Sequence, residues 1–304
     1  MRTFCPEGAL SSDSNTRHYK IAELSDAEKS GEILEGIATL CDSDYNLTVD
    51  LGDIKGIIPR CEGAVGISSG KTKDIALISR VGKPVSFVVN SLKTDIFGKT
   101  YAELSRRKAQ ERALYYITKI KGVGSVIDAK ITHLESFGAF CDIGCGVVAL
   151  LPIDAISVSR ISHPKDRFLV GDNIKAIIKS IDKDGKITLS HKELLGTWEE
   201  NASMFTPGQT VSGIIRSIED YGVFVELTPN LAGLAEPRRD VALNQIASVY
   251  IKSIIPEKMK VKLIIVDSFN GDSFSPVKYF PTPDKIKFWQ YSPIDSQKTI
   301  ISQF

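Results

Sequence analysis

The sequence predicts an all-β protein made of three copies of one small barrel, and two observations support this prediction. The first is a seven-residue pattern that reads FGAFCDI at 137–143 and returns as YGVFVEL at 221–227, with a weaker copy, YNLTVDL, at 45–51. The second is the constant order around each copy, because an apolar segment precedes it and GIIP, ALLP or GLAE follows it. A long period with the same internal order indicates a small domain used three times.

Five β segments in the second copy predict how the barrel is built. They are rich in Ile and Val and lie at 125–134, 139–143, 147–152, 173–182 and 186–190. Asp184 and Gly185 supply the positive φ angles of a tight hairpin between the last two. Five strands with a longer irregular stretch after the third match the Greek-key barrel of the OB fold. A parallel α/β sheet is disfavoured, because the sequence lacks the crossover helices that it requires.

Four short motifs of the second copy carry a resemblance to a known family. They are FGAF at 137–140, LPI at 151–153, VGD at 170–172 and GKITLS at 185–190. With these motifs the chain resembles the S1 RNA-binding domain family, strongly over 124–193, well over 208–268 and moderately over 31–107. The resemblance implies OB-fold barrels that bind single-stranded RNA, in translation or another form of RNA handling, with the ribosome as a further candidate partner.

The predicted organisation is three tandem five-stranded OB-fold (S1-type) barrels joined by short helical linkers. The regions are an N-terminal extension at 1–30, a degenerate S1-like domain at 31–107, a helical linker at 108–121, an S1 domain at 122–193, a helical linker at 194–207, an S1 domain at 208–268 and a C-terminal extension at 269–304. Trp198 in the second linker is expected to pack between domains. In the extension, 269–283 is predicted as a loop, and 285–291 either adds a strand to a barrel or docks through its aromatic residues.

The first linker begins within a stretch of helical spacing at 106–120 that concentrates positive charge. Its basic residues are Arg106, Arg107, Lys108 and Arg112. Two interpretations carry equal weight: a solvated helical face, or a strut that contacts RNA phosphates beside the second barrel.

Two aromatic pairs are the main candidate RNA contacts. The resemblance places Phe137 and Phe140 on the RNA-facing surface, and Tyr221 and Phe224 have the same spacing in the third copy. Packing into the barrel is the alternative for a single aromatic residue in a strand. Two pairs at one spacing favour exposure, where each ring offers a stacking surface to a base.

Three polar residues complete the predicted site by the same resemblance. Lys186 and Lys260 are its basic residues, and Asp182 accepts a hydrogen bond from a base or a ribose hydroxyl. The family commonly has a histidine after the third strand, where this chain has Pro59, Pro152 and Glu236. The first copy also has Thr48 in place of the second aromatic residue, so the repeats rank second, third, first for RNA contact.

Composition limits the other functions. A net charge of +1 argues against a strongly electrostatic RNA binder, so modest, salt-sensitive affinity is expected, and a protein-interaction scaffold that has lost RNA binding is the rival function. Five cysteines, with no signal peptide and no membrane span, indicate a reducing cytoplasm. Cys141 and Cys145 lack the further ligands of a zinc site, and the histidines lack catalytic partners. No enzyme activity, metal or cofactor is expected.

Overall fold

The computed structural model describes residues 4–9, 18–271 and 277–304, and its strands form three closed five-stranded barrels. The first barrel contains β1 Ile33–Cys41, β2 Leu47–Asp50, β3 Lys55–Ile58, β4 Pro84–Thr94 and β5 Thr100–Ser105. The second contains β6 Val126–Glu135, β7 Gly138–Asp142, β8 Val148–Pro152, β9 Asn173–Ile181 and β10 Ile187–Ser190. The third contains β11 Thr210–Glu219, β12 Gly222–Thr228, β13 Leu231–Ala235, β14 Ile246–Ile255 and β15 Lys260–Phe269. The predicted all-β fold with three barrels is confirmed.

Each barrel has the same strand order, first, second, third, fifth, fourth, with closure between fourth and first. The third and fifth strands pair in parallel, as β13 and β15 do, whereas hairpin neighbours are antiparallel. The five strands predicted in the second copy each begin and end within one residue of the observed strands. Their pattern was readable because inward apolar and outward polar side chains alternate along a half-buried strand.

Among the described residues, four α-helices lie outside the strands. They are α1 Ile21–Ser30, α2 Ile75–Ile78, α3 Arg106–Tyr115 and α4 Trp198–Ala202. The Ser105 hydroxyl caps α3 by accepting a hydrogen bond from the Lys108 amide, and a π-helical turn at Tyr116–Lys121 continues this helix. Both predicted linkers therefore contain helix. No helix among the described residues is long and apolar enough to cross a membrane.

The basic residues of α3 bind other parts of the protein. Arg106 is buried and forms a bidentate ion pair with Glu7, with N···O distances of 2.7 and 3.0 Å. Arg107 pairs with Glu62 and Glu111, Lys108 donates to the Asn90 amide oxygen, and Arg112 donates to the Gly31 carbonyl. Both predicted interpretations are wrong for Arg106, because a buried side chain paired with a carboxylate is neither solvated nor free for phosphate.

The chain divides into two compact units. The first comprises 1–122 with 128–130 and 142–148, and the second comprises 123–127, 131–141 and 149–304. The second unit has one continuous apolar cluster that includes Ile177 of β9 and residues of the third barrel. Leu194 and Trp198 of the second linker, which forms the joint between these two barrels, belong to the same cluster. Trp198 therefore packs between the second and third barrels, as predicted.

The C-terminal extension forms its own small sheet. Strands β16 Phe288–Gln290 and β17 Ile301–Gln303 pair antiparallel outside the barrels, and Ile286, Trp289 and Tyr291 are buried in the cluster of the second unit. The segment docks through its aromatic residues, which is one of the two predicted alternatives. Part of the predicted N-terminal extension, 1–3 and 10–17, and part of the predicted loop, 272–276, lie outside the described residues.

His191 is buried in the second unit as a neutral ring. Its Nδ1 lies 2.9 Å from the Ile156 carbonyl oxygen and its Nε2 lies 3.2 Å from the Tyr279 hydroxyl. Burial lowers the pKa of His191 to about 4, the bond to Ile156 opposes this change, and the charge of Arg167 adds to it. The stability that depends on the neutral ring is present above the ordinary pKa and is lost as the pH falls toward 4.

We therefore expect His191→Gln to reduce the loss of stability on acidification from about pH 7.5 to about pH 4.5, by about 3 kcal/mol at most. Urea unfolding followed by tryptophan fluorescence measures this, because Trp198 and Trp289 both lie in the second unit. Asp142, whose pKa burial and the adjacent Glu7 raise to about 6, changes stability in the opposite direction but belongs to the first unit. An unchanged pH dependence in the variant would exclude His191 as the group responsible.

Candidate nucleic-acid interface

The two predicted aromatic pairs have the same geometry in the second and third barrels. Phe137 and Phe140 have ring centroids 6.0 Å apart at an interplanar angle of 88°, and Tyr221 and Phe224 are 6.1 Å apart at 87°. The first member of each pair is exposed, by 54% for Phe137 and 66% for Tyr221, and the second is half-buried. Each pair therefore presents an edge-to-face arrangement with free ring surface rather than a core contact.

A glycine between the two aromatic residues lets the backbone approach the next strand closely. A Cβ atom on Gly138 would lie 2.5 Å from the Leu151 carbonyl oxygen, and one on Gly222 would lie 2.5 Å from that of Ala235. Real side chains do not tolerate such contacts, so a side chain there would push the strand and its aromatic pair outward. The first repeat has Asn46 at this position, whose side chain instead bonds to Asp42 and Arg60.

The first barrel lacks the aromatic pair. Tyr45 has a positive φ of 63° and its ring lies beneath the Arg60 guanidinium, 6.0 Å from the centroid. Thr48 pairs with Ile57, and Ile57 pairs with Glu103. These three residues form a row across neighbouring strands, and the corresponding row in the third barrel is Phe224, Leu234 and Lys262.

This row changes both shape and charge between the two barrels. The first barrel has a small residue and an acid, whereas the third has an aromatic ring and a lysine. Glu103 also forms an ion pair with Lys93. A base would find no ring at this row of the first barrel, and a phosphate would meet a carboxylate.

The second and third barrels each have a β-bulge in their fourth strand, and this bulge identifies equivalent positions in the hairpins that follow. Lys179 in β9 and Lys252 in β14 are the residues that the ladder skips. Counting from the bulge places Lys260 at the position of Lys186, as the sequence predicts. Both lysines are exposed.

Asp182 shapes the hairpin turn of the second barrel. Its Oδ1 accepts a hydrogen bond of 2.7 Å from the Lys186 amide, and its backbone amide donates to the Lys186 carbonyl. The carboxylate is exposed. Contacts thus join Asp182 to Lys186 and Phe137 to Phe140, but none connects these two pairs among the described residues.

A groove of about 770 Å³ on the third barrel brings three of the predicted residues together: Tyr221, Phe224 and Lys260. Four further lysines line it, namely Lys252, Lys258, Lys262 and Lys298. Glu236 also lines the groove, so its lysines outnumber its acid by five to one. An aromatic pair among clustered lysines is the combination that holds the bases and the phosphates of a single strand.

Sequence reasoning missed most of these lysines, although the pattern in β15 contains the signal. Val261 and Leu263 are buried, so the alternation of a strand directs Lys260 and Lys262 outward. Sequence reasoning also gave no role to His133, which is exposed. Its ring stacks on that of Phe140, with a centroid distance of 6.4 Å and an interplanar angle of 27°. The near-zero net charge of the whole chain hid a local cluster of positive charge.

Comparison with known proteins agrees with this architecture. A family described as S1 RNA binding domain matches residues 121–192. The small ribosomal subunit protein bS1 homolog of Bacillus subtilis is 29% identical over 83% of this chain, and bS1 of Chlamydia muridarum is 31% identical over 61%. Residues 121–192 thus match the S1 RNA binding domain, and the chain as a whole is similar to the bS1 proteins.

This chain spans only part of these relatives, 65% of the Bacillus protein and 32% of the Chlamydia protein. Among solved structures, one similar protein is a multidomain protein with nucleic acid binding domains from Streptococcus pneumoniae. The alignment covers 82% of this chain and 76% of the chain of that protein, at 15% identity and a TM-score of 0.26.

Proposed function

We propose that this protein binds single-stranded RNA through the aromatic faces of its second and third S1 barrels. The observation that supports this most strongly is the groove in which Tyr221 and Phe224 lie among five lysines. Stacking on exposed rings contributes about 1–3 kcal/mol per base, and lysines add a salt-dependent attraction to phosphates. A scaffold that had lost RNA binding would have no reason to retain both features together.

The two barrels contribute differently in this proposal. The third offers the aromatic pair with the surrounding lysines, and the second offers Phe137 and Phe140 beside His133. In this proposal the third barrel ranks above the second, with the first still last, because five lysines line the groove of the third barrel. Asp182 and Lys186 are proposed as secondary contacts at the hairpin of the second barrel.

The biological setting is proposed from the relatives. Their names place them in the small ribosomal subunit, which supports a role in translation, an association with the ribosome and a cytoplasmic location for this chain. The proposed role is non-enzymatic, since stacking platforms and lysines bind a strand without a nucleophile or a general base.

A single-stranded RNA of mixed sequence is expected to bind more tightly than the same strand annealed to its complement. The bases of a duplex are stacked on each other and cannot stack on Tyr221 or Phe137 until they are unpaired. Fluorescence anisotropy with labelled RNA, at low and moderate salt, measures both affinities. Equal affinity for the strand and the blunt duplex would contradict the stacking proposal.

A further inference from the structure

The chain beyond the third repeat forms a well-anchored loop between β16 and β17. The Tyr291 amide donates to the Ile300 carbonyl at 2.9 Å, and the Ile300 amide donates to the Ser292 hydroxyl at 3.1 Å. These bonds close residues 291–300 at their base. The loop therefore has a defined conformation rather than that of a free tail.

Two further sets of bonds hold this loop against the third barrel. At its base, the Tyr291 carbonyl accepts from the Trp198 amide at 2.9 Å, and the Tyr291 hydroxyl donates to the Asn230 carbonyl. Near its tip, the Gln297 amide donates to the Glu257 carbonyl at 3.2 Å, in the turn between β14 and β15. The loop thus runs from the joint between the barrels to the hairpin that carries Lys258.

This path makes the loop one side of the groove. Tyr291, Lys298 and Ile300 line the same space as Tyr221 and Phe224. Lys298 is exposed, and no carboxylate pairs with its ammonium group among the residues that the structure describes. Its charge is therefore available to a ligand that enters the groove.

We infer that loop 291–300 is a wall of the RNA groove and that Lys298 binds a phosphate of the strand stacked on Tyr221 and Phe224. This inference rests on the proposed function. The aromatic pair is contributed by the repeat itself, whereas this wall is contributed by a segment outside it. The bound strand accordingly contacts the C-terminal segment as well as the barrel. RNA is favoured over an acidic peptide because exposed rings and lysines together match alternating bases and phosphates.

The test compares three variants of the full chain: Lys298→Gln, Lys287→Gln and Tyr221→Ala. Lys287 is a matched control, since it is an exposed lysine of the same segment that does not line the groove. Affinity for a labelled single-stranded RNA is measured across a salt series. Circular dichroism verifies the fold, which exposed Lys→Gln changes should preserve.

Lys298→Gln is expected to reduce the slope of log affinity against log salt by about 0.7 and to weaken binding about fivefold at about 0.1 M salt, while Lys287→Gln changes neither. If the two lysine variants behave alike and Tyr221→Ala still weakens binding, loop 291–300 is not part of the groove, although the proposed function stands. If Tyr221→Ala binds as tightly as the unmodified protein, the proposed function fails, and this inference fails with it.

Discussion

Replacing Glu226 by Gln is expected to lower the free energy of unfolding of the second unit by about 3–5 kcal/mol. The Glu226 carboxylate is buried and accepts from Arg167 at 2.7 and 2.9 Å and from Arg216 Nε at 3.0 Å. Burial alone would raise the pKa of Glu226, but the two guanidinium groups outweigh it and hold that pKa below its ordinary value. The substitution keeps the shape of the side chain and leaves two arginines without their counter-charge.

Urea unfolding followed by tryptophan fluorescence measures this loss, since Trp198 and Trp289 both report on the same cluster. The matched control is Asp240→Asn, which breaks the exposed ion pair between Arg238 and Asp240 and should change stability by less than about 1 kcal/mol. If the Glu226 variant loses as little stability as the Asp240 variant, water replaces the lost interactions of Arg167 and Arg216. The ion pairs of Glu226 would then not stabilise the contact between the second and third barrels.

The contacts between the second and third barrels bear on the proposed RNA binding. Arg167 lies in the irregular stretch between β8 and β9 of the second barrel, and Glu226 lies in β12, two residues after Phe224. The Ser159 amide also donates to the Pro229 carbonyl at 3.1 Å, and the Val158 amide donates to the Asn230 side chain at 3.0 Å. These bonds hold the second and third barrels together, so one strand would meet two aromatic pairs at a defined separation.

Removing the aromatic pair of the third barrel is expected to cause the largest loss of binding. Tyr221→Ala and Phe224→Ala should each weaken single-stranded RNA binding by about 1–3 kcal/mol, which is about fivefold to about 150-fold. The same changes at Phe137 and Phe140 should have the smaller effect, because Thr188 of the second barrel occupies the position that Lys262 has in the third. Titration of a labelled RNA at one fixed salt concentration measures all four variants.

Phe288→Ala is the matched control for this series, because Phe288 is 52% exposed in β16 and does not line the groove. Thermal melting separates a binding residue from a core residue. Removing a core aromatic side chain lowers the free energy of unfolding by about 3–5 kcal/mol. If the melting temperature of Phe224→Ala falls by an amount that corresponds to such a loss, Phe224 supports the barrel instead. Equal losses for Tyr221→Ala and Phe288→Ala would contradict the proposed stacking site.

The local features of this protein could be predicted from its sequence. Strand bounds in the second copy followed from the alternation of apolar residues, and Asp184 and Gly185 correctly located the hairpin turn. The positive φ angle predicted for both residues is present only at Gly185, where φ is 80°, because a Cβ atom disfavours that conformation at Asp184. The repeated spacing predicted exposed aromatic pairs: Phe137 and Tyr221 are exposed, whereas Phe140 and Phe224 are half-buried. These properties depend on neighbours along the chain, which a pattern with a period of two describes well.

Only the tertiary structure decided the partners of the charged residues. Arg106 in a helical pattern gave no sign that it is buried against Glu7, 99 residues away. Asp142 and Glu226 occupy the same position of the repeated motif, yet the first accepts backbone amides and the second binds two arginines.

The groove was decided in the same way, because Lys298 and Tyr221 come from segments far apart in sequence. Strand alternation specifies which side of its own sheet a residue faces. Which distant charge it meets depends on how barrels and extensions pack, and that information is spread over the whole chain.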